Sequence, residues 1–225
     1  MKKPISIVLC ILMLLSVCAI SSVGLAATGN TYYVDSIDGD DTAEGTSPEA
    51  AWRSLDGFAN CKEPLKGGDT VLFRAGGTYE CCVTLTDIRG TKEAPFTISS
   101  YGEGERPLLR TDNADEVFTF VDCSYITVSD LQITAPNGGG IWIDTINSES
   151  VGITIENVYF YGLPNGKVTN RDDFSWGAAP ARAAVMVKGL PSNSRYPVND
   201  LTIRGCEVYD SANGFMIWEI GRAHV

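Results

Sequence analysis

The stretch from Asn165 to Arg182 concentrates residues able to do chemistry. It holds Lys167, Asn170, Arg171, Asp172, Asp173, Trp176 and Arg182. Carboxylates at Asp172 and Asp173 beside Arg171 are candidate proton donors and acceptors. The ring of Trp176 suits the apolar side of a sugar, and Arg182 would contact the same ligand. The favoured reading is a surface loop of ordinary turn residues with one docked tryptophan. Long structured loops are often functional, which keeps the segment open as a site. Shortly afterwards Lys188 ends an apolar strand, from which it could reach a groove.

A second cluster is acidic. Asp38, Asp40 and Asp41, with Glu44 close behind, present the oxygen ligands that Ca²⁺ prefers. The EF-hand spacing is absent, and a plain acidic turn before the cap helix is the favoured reading. The cysteines match no zinc spacing. Cys123 and Cys206 read as small buried hydrophobes. Adjacent Cys81 and Cys82 point to opposite faces of a strand, and a bridge from Cys61 to either one stays open. The single histidine, His224, lies in a tail set aside below, so no histidine mechanism is expected.

These residues must be held by short strands, and the strands repeat. Ile126-Thr-Val128-Ser-Asp130-Leu131-Gln-Ile133 aligns with Ile153-Thr-Ile155-Glu-Asn157-Val158-Tyr-Phe160 and with Leu201-Thr-Ile203-Arg-Gly205-Cys206-Glu-Val208. Apolar and polar residues alternate, and the phase shifts once, at Asp130, Asn157 and Gly205. That pattern is a strand, a one-residue bend and a second strand. Weaker copies begin at Thr70 and Phe96. A third strand follows each full copy, at Gly140–Ile143, Ala184–Val187 and Gly214–Ile217, with Trp142, Met186 and Met216 expected to share an orientation. A repeat in the range of about 20–50 residues marks a solenoid. Ile126, Ile153 and Leu201 should stack, as should Val128, Ile155 and Ile203. The expected fold is all-β: a right-handed parallel β-helix, with an amphipathic helix from Pro48 to Asn60 capping its first edge.

Four regions follow. Residues 1–27 read as a secretion signal, with Lys2 and Lys3 before an apolar run and small residues near Ala27. Residues 28–66 form the N-terminal cap and 67–218 the coils, with the chain expected to continue past them. The tail from Glu219 to Val225 resembles the translation of a sequencing adapter.

The run Tyr32-Tyr33-Val34-Asp35, Gly39-Asp40-Asp41, Gly45-Thr46-Ser47-Pro48, Trp52-Arg53-Ser54-Leu55 and Gly68-Asp69-Thr70-Val71 resembles the opening of bacterial β-helix proteins of the pectate-lyase-like superfamily. Gly76-Gly77-Thr78-Tyr79 and Tyr101-Gly102-Glu103-Gly104 extend the likeness. The resemblance implies a secreted carbohydrate-active protein, a polysaccharide lyase or glycoside hydrolase acting on an extracellular polysaccharide. Lyases of this fold pair Ca²⁺ with an Arg or Lys base, and hydrolases use two or three carboxylates. Asp172-Asp173 resembles the paired aspartates of polygalacturonase-type hydrolases. A non-catalytic adhesin or glycan-binding surface protein is the alternative, since fold alone does not give function.

Composition narrows the partners. A formal net charge of −11 leaves no basic footprint for nucleic acid, and suits an anionic membrane poorly. No membrane partner is expected once the signal is cleaved.

Overall fold

The computed structural model describes residues 29–60, 63–113, 115–163, 183–188, 196–211, 213–217 and 223–224. Strand β1 (Thr31–Val34) opens the chain. The first coil is β2 (Thr70–Arg74), β3 (Thr78–Glu80) and β4 (Val83–Thr86). The second is β5 (Phe96–Tyr101), β6 (Leu108–Arg110) and β7 (Phe118–Val121). The third is β8 (Ile126–Ser129), β9 (Gln132–Thr134) and β10 (Ile141–Asp144), closed by the short β11 (Ser150–Val151). The fourth is β12 (Thr154–Glu156), β13 (Tyr159–Leu163) and β14 (Val185–Lys188), closed by β15 (Val198–Asn199). The last is β16 (Leu201–Arg204), β17 (Glu207–Ser211) and β18 (Phe215–Ile217). Residues Ala223–His224 form β19.

Each coil contributes one strand to each of three long sheets. The first sheet runs β1-β2-β5-β8-β12-β16-β19, the second β3-β6-β9-β13-β17 and the third β4-β7-β10-β14-β18. All pairings between strands are parallel among the described residues. Parallel connections in one sheet are right-handed almost without exception, which sets the hand of the coil. The architecture is the expected right-handed parallel β-helix.

The expected ladders are present. Val71, Ile98, Val128, Ile155 and Ile203 are register partners in turn, and all are buried. Ile126, Ile153 and Leu201 are fully buried beside them. In the third sheet Trp142, Met186 and Met216 share one register, so they take one face while Ile141, Ile143, Val185 and Val187 take the other and fill the core. Period-two alternation forces this division, because successive side chains leave a strand on opposite sides.

The one-residue bends fall where the alternation slips. Asp130, Asn157 and Gly205 have φ of 58°, 54° and 60°. Asn and Asp tolerate this left-handed conformation better than other side chains, and glycine does so freely. The bends also pair along the axis. The backbone N–H of Asn157 donates to the Arg204 carbonyl at 3.0 Å. The Asn157 amide donates to the Asp130 carboxylate, and its oxygen accepts from Arg106. Asp130 and Asn157 therefore form a structural ladder.

The cap departs from the expected helix over Pro48–Asn60. Two 3-10 turns, Pro48–Ala50 and Leu55–Asn60, replace it. Between them Trp52 is extended and bridges to Val34. Its N–H donates to the Tyr33 carbonyl at 2.9 Å, and its carbonyl accepts from Asp35 at 2.7 Å. The free edge of β1 recruits this backbone, and that pairing outweighs helical periodicity. Trp52 is completely buried and stacks on Tyr32 at 5.2 Å between ring centroids. Gly57 is required by the same packing, since a Cβ there would lie 2.2 Å from the Trp52 ring. Leu55 and Leu65 close the end of the core.

Among the described residues no helix is long and apolar enough to cross a membrane. Cys81, Cys82, Cys123 and Cys206 are free thiols, whereas Cys61 lies outside the described residues. Cys123 is buried as expected, and burial pushes its thiol up to about 11. Cys206 is half-buried.

Candidate functional site

The acidic loop is engaged in holding itself together. Arg74 Nη1 reaches Asp35 and Asp38 at 2.6 Å each. Asp40 accepts from the Thr42 backbone at 2.9 Å and from its hydroxyl at 2.8 Å. Asp41 accepts from the Ser54 backbone at 2.7 Å and its hydroxyl at 2.9 Å. No three His, Cys, Asp or Glu side chains gather to hold a metal among the described residues. Asp38, Asp40 and Asp41, the Ca²⁺ candidates, are thus arranged as an acidic turn bonded to Arg74, Thr42 and Ser54. Their spacing reads as a ligand cluster, but each turns to a different donor.

Arg171, Asp172, Asp173, Trp176 and Arg182 lie outside the described residues. What the structure does show is where their segment attaches. Residues 164–182 connect the end of β13 to the start of β14, and residues 189–195 leave from the far end of β14. One connection therefore enters β14 and the other leaves it at its opposite end, with β10 beside that strand.

The outer face of that sheet carries the local chemistry. Trp142 and Asp144 alternate with the buried Ile141 and Ile143, so both leave β10 on the solvent side and are half-buried there. Their register partners on β14 are Met186 and Lys188. Met186 is only 2 % exposed although it stands on the outer face, so this part of the face is covered. On the other side of β10 come Thr119 and Val121 of β7.

The end of β10 is held rigidly. Asp144 accepts the Thr145 backbone N–H at 2.9 Å. The Thr145 hydroxyl donates to the Tyr196 carbonyl at 2.6 Å, tying the chain after the second connection to the third coil. Asp122, buried one coil below, accepts N–H groups from Ile146 at 2.7 Å, Asn147 at 3.0 Å and Ser148 at 3.2 Å. Burial raises the Asp122 pKa, but the hydrogen bonds from Asn147, Ile146 and Ser148 outweigh it and the net shift is downward.

Glu116 adds a second carboxylate at the opposite end of the same sheet. Its Cγ lies 3.2 Å from where a Gly139 Cβ would be, just upstream of β10. Gly139 and Asp144 are separated by about 16 Å of strand at roughly 3.3 Å per residue. Inverting hydrolysis wants carboxyl groups about 6.5–9.5 Å apart, less than that backbone separation. Sequence reading placed Lys188 correctly at a strand end, but took Trp142 only as a ladder residue and passed over Asp144 and Glu116. The signal for Asp144 was the alternation itself, which puts it on the face opposite Ile143.

No family model matches the sequence. Lacto-N-biosidase of Bifidobacterium longum subsp. longum is 32 % identical over an alignment 155 residues long, which covers 55 % of this chain and 10 % of that protein. Among solved structures, the GH136 lacto-N-biosidase from Eubacterium ramulus is similar with a TM-score of 0.62 at 22 % identity, over 80 % of this chain and 34 % of that one. Its selenomethionine derivative gives 0.60 at 23 %. The chain spans about a tenth of the curated relative and about a third of the solved chain. The likeness to the solved lacto-N-biosidase is one of fold, the right-handed parallel β-helix described above.

Proposed function

We propose that this chain forms the scaffold and part of the substrate groove of a secreted glycoside hydrolase acting on an extracellular glycan with lacto-N-biose units. The observation that carries the reading is the 32 % identity over 155 residues to a lacto-N-biosidase. The outer face of the third sheet supports it. An indole and a carboxylate stand on that face, and one connection enters and another leaves the neighbouring strand β14, features that suit a sugar-cleaving groove. In this reading Asp144 serves as acid or base, Trp142 as a platform for the apolar side of a pyranose, and Asp172 and Asp173 are the candidates for the second carboxylate. Residues 1–27 act as the export signal, with their positive start and apolar run as support.

The test is hydrolysis of an aryl lacto-N-bioside by the full gene product as exported. Release of the aryl group with a reducing disuccharide-sized sugar is expected. An ultraviolet-absorbing unsaturated product from an acidic polysaccharide, with no turnover of the aryl glycoside, would make the protein a lyase instead. Retention on glycans without any turnover would make it a binding protein.

A further inference from the structure

The first sheet bears a column of threonines on its outer face. Thr31, Thr70, Thr97, Thr127, Thr154 and Thr202 are register partners in turn. Their neighbours Ile126, Val128, Ile153 and Ile155 are fully buried, so the threonines face outward, repeating at about 4.8 Å per coil. Beside this column lies a groove of about 420 Å³, lined by Lys92, Tyr125, Thr127, Gly152, Thr154 and Asp200 among others.

The corner of the groove is shaped around Tyr125. Tyr125 has φ of 53°, uncommon for a bulky residue. Its ring lies against the bare backbone of Gly152 one coil further on, where a Cβ would come within 2.6 Å of Cδ1 and 2.8 Å of Cε1. Gly152 is itself left-handed at 70°. Any side chain at 152 would displace the ring from this wall.

The lining chemistry selects a ligand class. An aromatic ring accepts the apolar side of a pyranose. Threonine hydroxyls both donate and accept, Lys92 donates and Asp200 accepts, which matches a ligand rich in hydroxyl groups. A purely apolar ligand would leave these groups unsatisfied. A nucleic acid would need more cationic charge than one lysine. The volume falls within the usual range of about 300–1,000 Å³ for ligand sites.

We propose that this groove on the first sheet is a second glycan-binding site, separate from the candidate site on the third sheet, and that it holds a neutral glycan chain along the solenoid axis. The proposal rests on reading the protein as glycan-active, but not on Asp144 or Trp142.

The test is affinity electrophoresis of the full chain in gels containing soluble galactan, xyloglucan or mucin oligosaccharides, with homogalacturonan as the anionic comparison. At least one neutral glycan should retard the wild type more than homogalacturonan does. The isosteric double variant T127V/T154V and, separately, D200G should each weaken that binding at least ten-fold. Position 200 has φ of 53°, so glycine fits its backbone and the variant tests the carboxylate alone. Aryl lacto-N-bioside hydrolysis, measured on the same proteins, should be unchanged in both. Retardation by no neutral glycan, or binding unaltered in both variants, would overturn the site even if hydrolysis is intact. Groove-dependent binding without hydrolysis would leave the site standing and remove the proposed hydrolase function.

Discussion

Asp144 and Lys188 are register partners on neighbouring strands of the third sheet, although a long connection separates them in the chain. The pairing sets the end of β14 beside the carboxylate, with Trp142 two residues away on the same outer face.

This placement predicts a split in kinetics. D144N should lower kcat for the aryl glycoside by about 10²–10⁴-fold with little change in KM, the usual effect of losing a positioned acid or base. W142A should mainly raise KM, because it removes binding area and no proton-transfer group. Equal loss of kcat in both variants, with unchanged melting, would remove Asp144 from an acid–base role.

Acid should unfold the protein through Asp122 and Asp35. Both are buried, and in both burial raises the pKa while hydrogen bonds outweigh it. Asn147, Ile146 and Ser148 supply those bonds to Asp122, and Ile37, Arg74 and Asp38 supply them to Asp35. The folded values lie below the ordinary 3.8. Their contribution is therefore complete above the unfolded value and is lost as pH falls through the folded one. Melting temperature should be flat from pH 7 to about 5 and fall steeply below about 4. D122N should cost about 1.5–3 kcal/mol at neutral pH, and its acid limb should be shallower than that of the wild type. An identical acid limb would exclude Asp122 as a source.

The core ladder sets the cost of a central truncation. Ile155 is fully buried between Val128 and Ile203. I155A should destabilise by about 2–5 kcal/mol in urea unfolding, since rigid coils above and below cannot collapse into the space. A loss under 1 kcal/mol would show that the coils there are loosely packed.

The bends separate backbone from side-chain effects. Asn157 has φ of 54° and also bonds Asp130 and Arg106. N157G keeps the conformation and loses only the bonds, so it should cost less than N157A, which loses both. The difference should be about 1 kcal/mol, the penalty of a left-handed residue bearing a Cβ. Equal costs in the two variants would place the whole effect in the side-chain ladder.

The solenoid, its three strands per coil, its inward ladders and its bends at Asp130, Asn157 and Gly205 were legible in the sequence. Alternation and turn tolerance are local properties, written over eight residues at a time and repeated, so reading them needs no knowledge of neighbours. Tertiary pairing decided the rest. Trp52 has helical spacing, yet the unpaired edge of β1 holds it extended. Asp38, Asp40 and Asp41 look like a ligand cluster, yet Arg74, Thr42 and Ser54 draw them apart. Asp144 meets the end of β14 only because register aligns two coils across a long connection. Hydrogen-bond partners across coils depend on which residues the winding brings together, and a local pattern carries no record of that choice.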